Sequence, residues 1–176
     1  VSLCGYSLGG KIVLGLVEKL VPLVQKILLI APDGIQTNFW YSLATYPYWM
    51  RHLFKYSVQY PAPFFFLSGM LSQLRVLDKG VVRFAERQMN TTAKRRKVYC
   101  TWLVYRKIRP NIKKVALQLN QESIPVHFIL GTYDRIVNRE SLKPLTKRMN
   151  SFKIKMLDKG HNTLINDTAK EPSLSF

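Results

Sequence analysis

Residues 1–20 read VSLCGYSLGGKIVLGLVEKL, and this stretch decides the fold class. It opens with the mostly apolar run Val1 to Cys4, which predicts a short strand buried in a parallel sheet. A glycine-rich turn follows, and from Leu8 to Leu20 the apolar residues recur at helical spacing. Gln25 to Ala31 predicts a second buried strand. Strand, helix and strand in close succession form a βαβ unit, so we expect an α/β fold with a parallel sheet.

A serine stands at the turn between the first strand and the helix. A nucleophilic serine must project from its backbone so that a base and a substrate can both reach it, and a sharp strand-to-helix turn achieves this. The turn brings neighbouring chain close, so small residues are needed two positions before and after the serine. Gly5 and Gly9 occupy those positions around Ser7. The N–H of Leu8, at the start of the helix, is placed to stabilise a developing oxyanion.

A serine hydroxyl is a weak nucleophile at neutral pH and needs a general base, for which histidine is suited. The chain has three histidines. His161 follows a predicted strand within DKGHN, at the carboxyl edge of the sheet, and is the candidate base. His127 lies inside a predicted strand, where we expect a packed core imidazole. His52 lies in an aromatic stretch, where we expect an ordinary surface or packing role.

The base in turn needs an acid that sets its tautomer and stabilises the imidazolium. Asp134 ends the strand within VHFILGTYD, at the edge where open α/β sheets form their sites, and is the preferred candidate. Asp33 also follows a strand, but it lies in a Pro-Asp-Gly turn whose geometry already accounts for an aspartate. Asp158 lies three residues before the histidine, and we expect it to have a structural role in a turn.

The elements around these residues complete the sheet pattern. Pro125 to Leu130 predicts a buried strand, and Phe152 to Leu157 alternates apolar and basic residues as expected near a sheet edge. Between them, Arg139 to Met149 predicts a helix with Asn138 as its N-cap.

The three candidates, in the chain order Ser7, Asp134, His161, resemble the α/β-hydrolase superfamily. The matching motifs are GYSLGG at 5–10, LGTYDRIV at 130–137 and LDKGHN at 157–162. The resemblance implies a serine hydrolase that cleaves an ester, thioester or related acyl substrate through a Ser-His-Asp triad and an acyl-enzyme, with no cofactor and no metal. The alternative is a non-catalytic relative that binds a ligand or a partner; such relatives usually lose a triad member.

The resemblance also predicts the domain organisation. We expect a core βαβ unit with the nucleophile elbow at 1–34, a mainly helical cap or lid at 35–121, and core strands and helices carrying the acid and base at 122–176. The family has several strands before the elbow, and its second oxyanion donor comes from an early loop. We therefore expect the carboxyl-terminal part of an α/β-hydrolase fold, inactive or barely soluble by itself. Aromatic residues of the insertion are expected either to line an apolar acyl pocket or to hold the insertion's own core: Phe39, Trp40, Tyr41, Tyr46, Tyr48 and Trp49.

The composition limits the partners. The 176 residues include 27 Lys and Arg against 10 Asp and Glu, a net charge of +17. The basic residues are spread along the chain without a nucleic-acid-binding motif. We therefore expect a solvated basic exterior and no nucleic-acid partner. The second interpretation is weak attraction to an anionic membrane surface. The two cysteines form no metal motif, and a free thiol at Cys4 favours a cytoplasmic location.

Overall fold

The computed structural model describes residues 1–36, 39–76 and 79–168. Four parallel strands form one sheet whose spatial order is the chain order. The strands are β1 (Ser2–Tyr6), β2 (Lys26–Ile30), β3 (Val126–Gly131) and β4 (Lys153–Leu157). This arrangement confirms the predicted parallel sheet and α/β class.

The described helices lie between the strands and after the last one. Helix α1 joins β1 to β2, and a run of helices separates β2 from β3. Their bounds are α1 Leu8–Leu20, α2 Phe39–Thr45, α3 Tyr48–Gln59, α4 Ala62–Gln73, α5 Lys79–Met89, α6 Thr92–Tyr105, α7 Ile112–Gln121, α8 Arg139–Thr146 and α9 Leu164–Thr168. Within the described ranges, every helix is too short or too polar to span a bilayer.

The chain divides into two compact units. The first, called the sheet unit, comprises Val1–Gln36 and Ile108–Phe176; the second, called the helical unit, comprises Thr37–Lys107. The sequence predicts an insertion reaching residue 121, but α7 belongs to the sheet unit. The reason is that Val115, Ala116 and Leu119, one face of α7, are buried in the core around the sheet.

The core of the sheet unit forms between the sheet and its helices. Val13, Leu14 and Val17 of α1 are buried because they recur three and four residues apart on one face. They join fully buried side chains of the two central strands, such as Leu29 and Phe128. This packing holds the carboxyl ends of the strands in fixed positions.

The two edge strands are more exposed than the central ones. We predicted a buried strand at residues 1–4, but β1 pairs only with β2 among the described strands, and Cys4 is an exposed free thiol. The edge position expected for Phe152 to Leu157 is confirmed, since β4 is the opposite edge of the described sheet, but exposure does not alternate strictly along it. His127 is only half-buried rather than a core imidazole, because its register neighbour on β4 is the exposed Lys153.

Helix α8 begins where the sequence predicts. The Asn138 side chain accepts from the backbone N–H of Ser141 at 3.0 Å, and the Ser141 hydroxyl accepts from the N–H of Asn138 at 2.9 Å. This reciprocal capping box satisfies two N–H groups that the helix itself leaves unpaired. The prediction of Asn138 as N-cap is therefore confirmed, although the helix ends at Thr146 instead of Met149.

The helical unit has its own small core. The ring of Phe54 on α3 packs edge-on against Tyr99 and Trp102 of α6, with centroids 5.3 and 5.6 Å apart. Arg95 is buried, and its guanidinium donates to the carbonyls of Val58 at 2.7 Å and Met89 at 3.0 Å.

Candidate active site

The turn between β1 and α1 holds Ser7 in a strained conformation. Its backbone has φ 50° and ψ −119°, which a residue other than glycine rarely adopts. The Ser7 N–H donates to the carbonyl of Ile30 at 2.9 Å, and its carbonyl accepts from the N–H groups of Gly10 at 2.9 Å and Asp33 at 2.8 Å. These three bonds from two neighbouring segments stabilise the turn against its strain.

Two glycines lie where the chain is too close for a side chain. A Cβ at Gly5 would stand 2.8 Å from the carbonyl oxygen of Gly9 and 2.9 Å from the nitrogen of Gly10. A Cβ at Gly10 would stand 2.8 Å from the Cα of Pro32, whereas one at Gly9 would meet no described atom within 4 Å. The predicted crowding at Gly5 is present, but the second crowded position is Gly10 instead of Gly9, because the loop after β2 packs on the helix there.

The loop after β2 also packs against α1, the helix that follows the serine. Gly34 has φ +95°, and a Cβ there would stand 2.7 Å from the Cγ of Lys11. Lys11 is 7% exposed, and burial lowers the pKa of its amine, while the charge of Asp33 acts in the opposite direction. Asp33 thus lies in a loop whose backbone bonds to the Ser7 carbonyl, in the structural role that its Pro-Asp-Gly context predicts.

Asp134 lies in the loop after β3 and is buried. One carboxylate oxygen, Oδ1, accepts from the N–H groups of Ile136 at 2.7 Å and Val137 at 3.0 Å. The same loop bonds to the segment before His161, since the N–H of Tyr133 donates to the carbonyl of Lys159 at 3.1 Å. These bonds leave the other oxygen, Oδ2, directed at the histidine.

His161 joins the carboxylate to the serine. Its Nδ1 lies 2.7 Å from Oδ2 of Asp134, and its Nε2 lies 3.0 Å from Oγ of Ser7. A carboxylate only accepts, so Nδ1 carries the proton and Nε2 is free to accept one from the hydroxyl. The structure therefore brings together all three side chains that the sequence selects, from three separate strand ends.

Tyr6 is a site residue that sequence reasoning missed. Its hydroxyl donates to the backbone carbonyl of His161 at 2.7 Å, and the two rings lie 5.5 Å apart. Burial, and then the negative charge of Asp134, raise the pKa of Tyr6, so it stays a donor at neutral pH. The available signal was its place immediately before Ser7, next to the reacting groups.

The remaining candidates lie elsewhere. Asp158 is exposed in the bend before His161, and His52 is exposed on α3 in the helical unit. His127 lies within β3, and burial, followed by the charges of Lys153 and Lys26, lowers its pKa. Among the described residues, no group of three or more His, Cys, Asp and Glu is placed to hold a metal ion.

Comparison with known proteins identifies the fold. No family model and no curated protein sequence matches the chain. A thermophilic esterase from Thermogutta terrifontis matches with a TM-score of 0.57 and 18% identity, over 97% of this chain and 61% of that one. An enol-lactonase from Burkholderia xenovorans LB400 matches with a TM-score of 0.52 and 16% identity, over 97% and 62%. The 2-hydroxy-6-oxo-6-phenylhexa-2,4-dienoate hydrolase from Rhodococcus sp. strain RHA1 matches with a TM-score of 0.52 and 22% identity, over 97% and 61%.

These matches, together with the parallel sheet and the serine turn, place the chain among proteins of the α/β-hydrolase fold. The predicted fold class is therefore confirmed. The chain spans about three fifths of the length of the structures it matches. That it is the carboxyl-terminal part of a longer hydrolase stays a prediction.

Proposed function

We propose that the protein containing this chain is a serine hydrolase of acyl substrates. The observation that carries the proposal is the hydrogen-bonded series from Asp134 through His161 to Ser7, with distances of 2.7 and 3.0 Å. His161 is 27 residues from Asp134 and 154 residues from Ser7 in the chain. The three groups nevertheless stand in the order acid, base, nucleophile that nucleophilic catalysis requires.

The proposed reaction has two halves. His161 Nε2 takes the hydroxyl proton as Ser7 Oγ attacks the acyl carbon, and the buried Asp134 carboxylate stabilises the resulting imidazolium. The imidazolium then gives its proton to the leaving alcohol or thiol, which leaves an acyl-serine. Water, deprotonated by the same nitrogen, attacks the acyl carbon. The bond from that carbon to Ser7 Oγ then breaks, the imidazolium returns the proton to Oγ, and the acid is released.

The Leu8 N–H is the proposed oxyanion donor within this chain. Leu8 is the first residue of α1, and the first N–H groups of a helix have no partner within it. They also stand at the positive end of the helix dipole, which favours the negative oxygen of the tetrahedral intermediate. One such donor is worth about 10²–10³ in turnover in a known hydrolase.

The aromatic residues of the insertion give mixed support to an acyl pocket. The hydroxyls of Tyr41 and Tyr46 donate to the carbonyls of Trp102, at 3.1 Å, and Arg106, so both serve the helical unit's own packing. The side chains of Phe39 and Trp40 lie outside the described part of the chain. The acyl-pocket role and the lid role of residues 35–121 stay predictions.

A fluorophosphonate probe tests the proposal in the full-length protein, because it labels only an activated serine. We expect labelling of the wild type and of the control variant Ser151→Ala, whose serine is exposed away from the site. We expect none in Ser7→Ala and very little in His161→Gln. A folded wild-type protein without labelling would contradict the proposal and favour the non-catalytic binding alternative.

The substrate class is tested next with p-nitrophenyl esters of increasing acyl length, from acetate to palmitate. We expect Ser7-dependent hydrolysis with one preferred range of lengths. Labelling of Ser7 without hydrolysis of any member of the series would limit the proposal to the nucleophile and rule out simple esters.

A further inference from the structure

The helical unit contains a small crevice lined with cations. It has a volume of about 150 Å³ and lies between α3 and α6. Its lining residues are Tyr48, Arg51, His52, Lys55, Tyr99 and Leu103. The volume is well above the roughly 10–15 Å³ that one water molecule needs, so a group of several heavy atoms fits.

The lining residues converge because of their helical spacing. On α3 they stand at positions i, i+3, i+4 and i+7 counted from Tyr48, which is one face of the helix, and on α6 they are four residues apart. Arg51 and Lys55 are therefore like charges on adjacent turns, an arrangement that destabilises a helix when no anion is present. No carboxylate belongs to the lining.

Arg51 carries an unused donor. Its Nε is buried and has no hydrogen-bond partner, although its guanidinium stands over the Tyr48 ring, 5.3 Å from the centroid. The same unit satisfies its other buried guanidinium with protein oxygens, since Arg95 donates to two carbonyls and to the hydroxyl of Thr92. The Nε is closed to solvent, so a ligand in the crevice is reached by the terminal nitrogens of this guanidinium, which is only partly buried. An arginine guanidinium is the donor best matched to a phosphate or carboxylate.

The charge of the unit favours the more highly charged of these anions. Residues 37–107 contain twelve Lys and Arg and only two Asp and Glu. A phosphate group carries up to two negative charges, so it neutralises more of the positive charge of Arg51 and Lys55 than a carboxylate does. Its oxygens also offer more acceptors. The neighbouring rings of Tyr48 and His52, with centroids 4.5 Å apart, form one wall of the crevice.

We propose that this crevice is a binding site for a phosphate group, held by the guanidinium of Arg51 with His52 and Lys55. The site belongs to the helical unit alone and does not depend on the proposed hydrolase activity. The phosphate can belong to a soluble compound or to a lipid headgroup, and both present the same oxygens to Arg51.

Titration of the full-length protein with inorganic phosphate tests the site. Binding is followed by the NMR signals of the His52 ring, with the ionic strength held constant by sodium chloride. We expect saturable shifts in the wild type, and binding at least tenfold weaker in Arg51→Gln. Arg96→Gln is the matched control, because Arg96 is an exposed arginine of the same unit and its loss changes the net charge equally. We expect its phosphate binding to equal that of the wild type.

Equal weakening in both variants would overturn the proposal, because it would mean diffuse attraction to a basic surface. A wild type without saturable shifts would also overturn it. Glycerol 3-phosphate and vesicles of phosphatidylcholine with phosphatidic acid then distinguish the two sources. Arg51-dependent binding of either one supports the site, and binding of neither contradicts it. Circular dichroism of each variant confirms that a loss of binding is not a loss of fold.

Discussion

At the scale of single residues, one hydroxyl connects the serine turn to the histidine loop. The Tyr6 hydroxyl holds the carbonyl of His161, the residue that must face both Ser7 and Asp134. Tyr6 itself contacts no reacting atom in this scheme. It acts as a positioning residue, and its effect depends on the proposed function.

The variant Tyr6→Phe removes this bond and keeps the ring. A hydrogen bond of this type is worth about 0.5–1.5 kcal/mol, so we expect kcat of the full-length protein for ester hydrolysis to fall about two- to tenfold with little change in KM. Thr146→Val is the control, since it also removes a hydroxyl-to-carbonyl bond, to Leu142 on α8. If both variants lowered kcat equally, Tyr6 would be merely structural.

Adjacent glycines in the elbow allow a second residue-level prediction. Gly10→Ala forces a methyl group against Pro32, and overpacking of this kind costs about 1–3 kcal/mol. Gly9→Ala has free space within a helix, where alanine is favoured over glycine by about 0.5–1 kcal/mol. Urea unfolding should therefore show opposite changes in the free energy of unfolding. A loss of equal size in both variants would contradict the assignment of the close contact to Gly10.

At the scale of secondary structure, local pattern predicted the four strands, α1 and the start of α8. Helix α1 begins and ends at the predicted residues because its apolar stripe, the turn before it and Pro22 after it are all local signals. Burial was predicted less well. The pattern of Val1 to Cys4 is that of a central strand, yet β1 is an edge of the described sheet. Strand position depends on which other segments pair with it, and no local signal contains that information.

His127 on β3 predicts a dependence of stability on pH. Its pKa is lowered in the folded chain, so the unfolded chain binds the proton more tightly. Its contribution is fully present above the unfolded value of about 6.5 and is lost as the pH falls through that value towards the folded one. We expect the free energy of unfolding in urea to decrease between pH 7.5 and 5.5, and to decrease less in His127→Gln. An identical decrease in the variant would exclude His127 as the cause.

At the scale of the whole molecule, charge is the dominant feature. A net charge of +17 on 176 residues repels itself in the compact state, and salt screens this repulsion with a Debye length of about 10 Å at 0.1 M. We expect the melting temperature to rise when sodium chloride is increased from 50 to 300 mM. Sucrose at matched osmolality is the control for excluded-solute effects, and a melting temperature that fell with salt would indicate that attractive ion pairs dominate instead.

The assignment of α7 to one of the two units is also decided at the scale of the whole molecule. Helix α7 has an ordinary amphipathic pattern, which predicts a helix but does not name the surface that it covers. The structure assigns it to the sheet unit, where Glu18 of α1 accepts from the backbone N–H of Asn111 at 3.0 Å. A contact between residues 93 apart has no signal in either local sequence.

The sequence by itself determined the βαβ start, the parallel sheet and the identity of Ser7, Asp134 and His161, because turn chemistry, apolar period and strand ends are properties of neighbouring residues. Only the tertiary structure decided that Gly10 is the crowded glycine, that Tyr6 holds the histidine loop and that Arg51 keeps a buried donor without an acceptor. Each of these depends on the distance between atoms that lie far apart in the chain. Such distances are set by how the whole core packs, and no short segment encodes them.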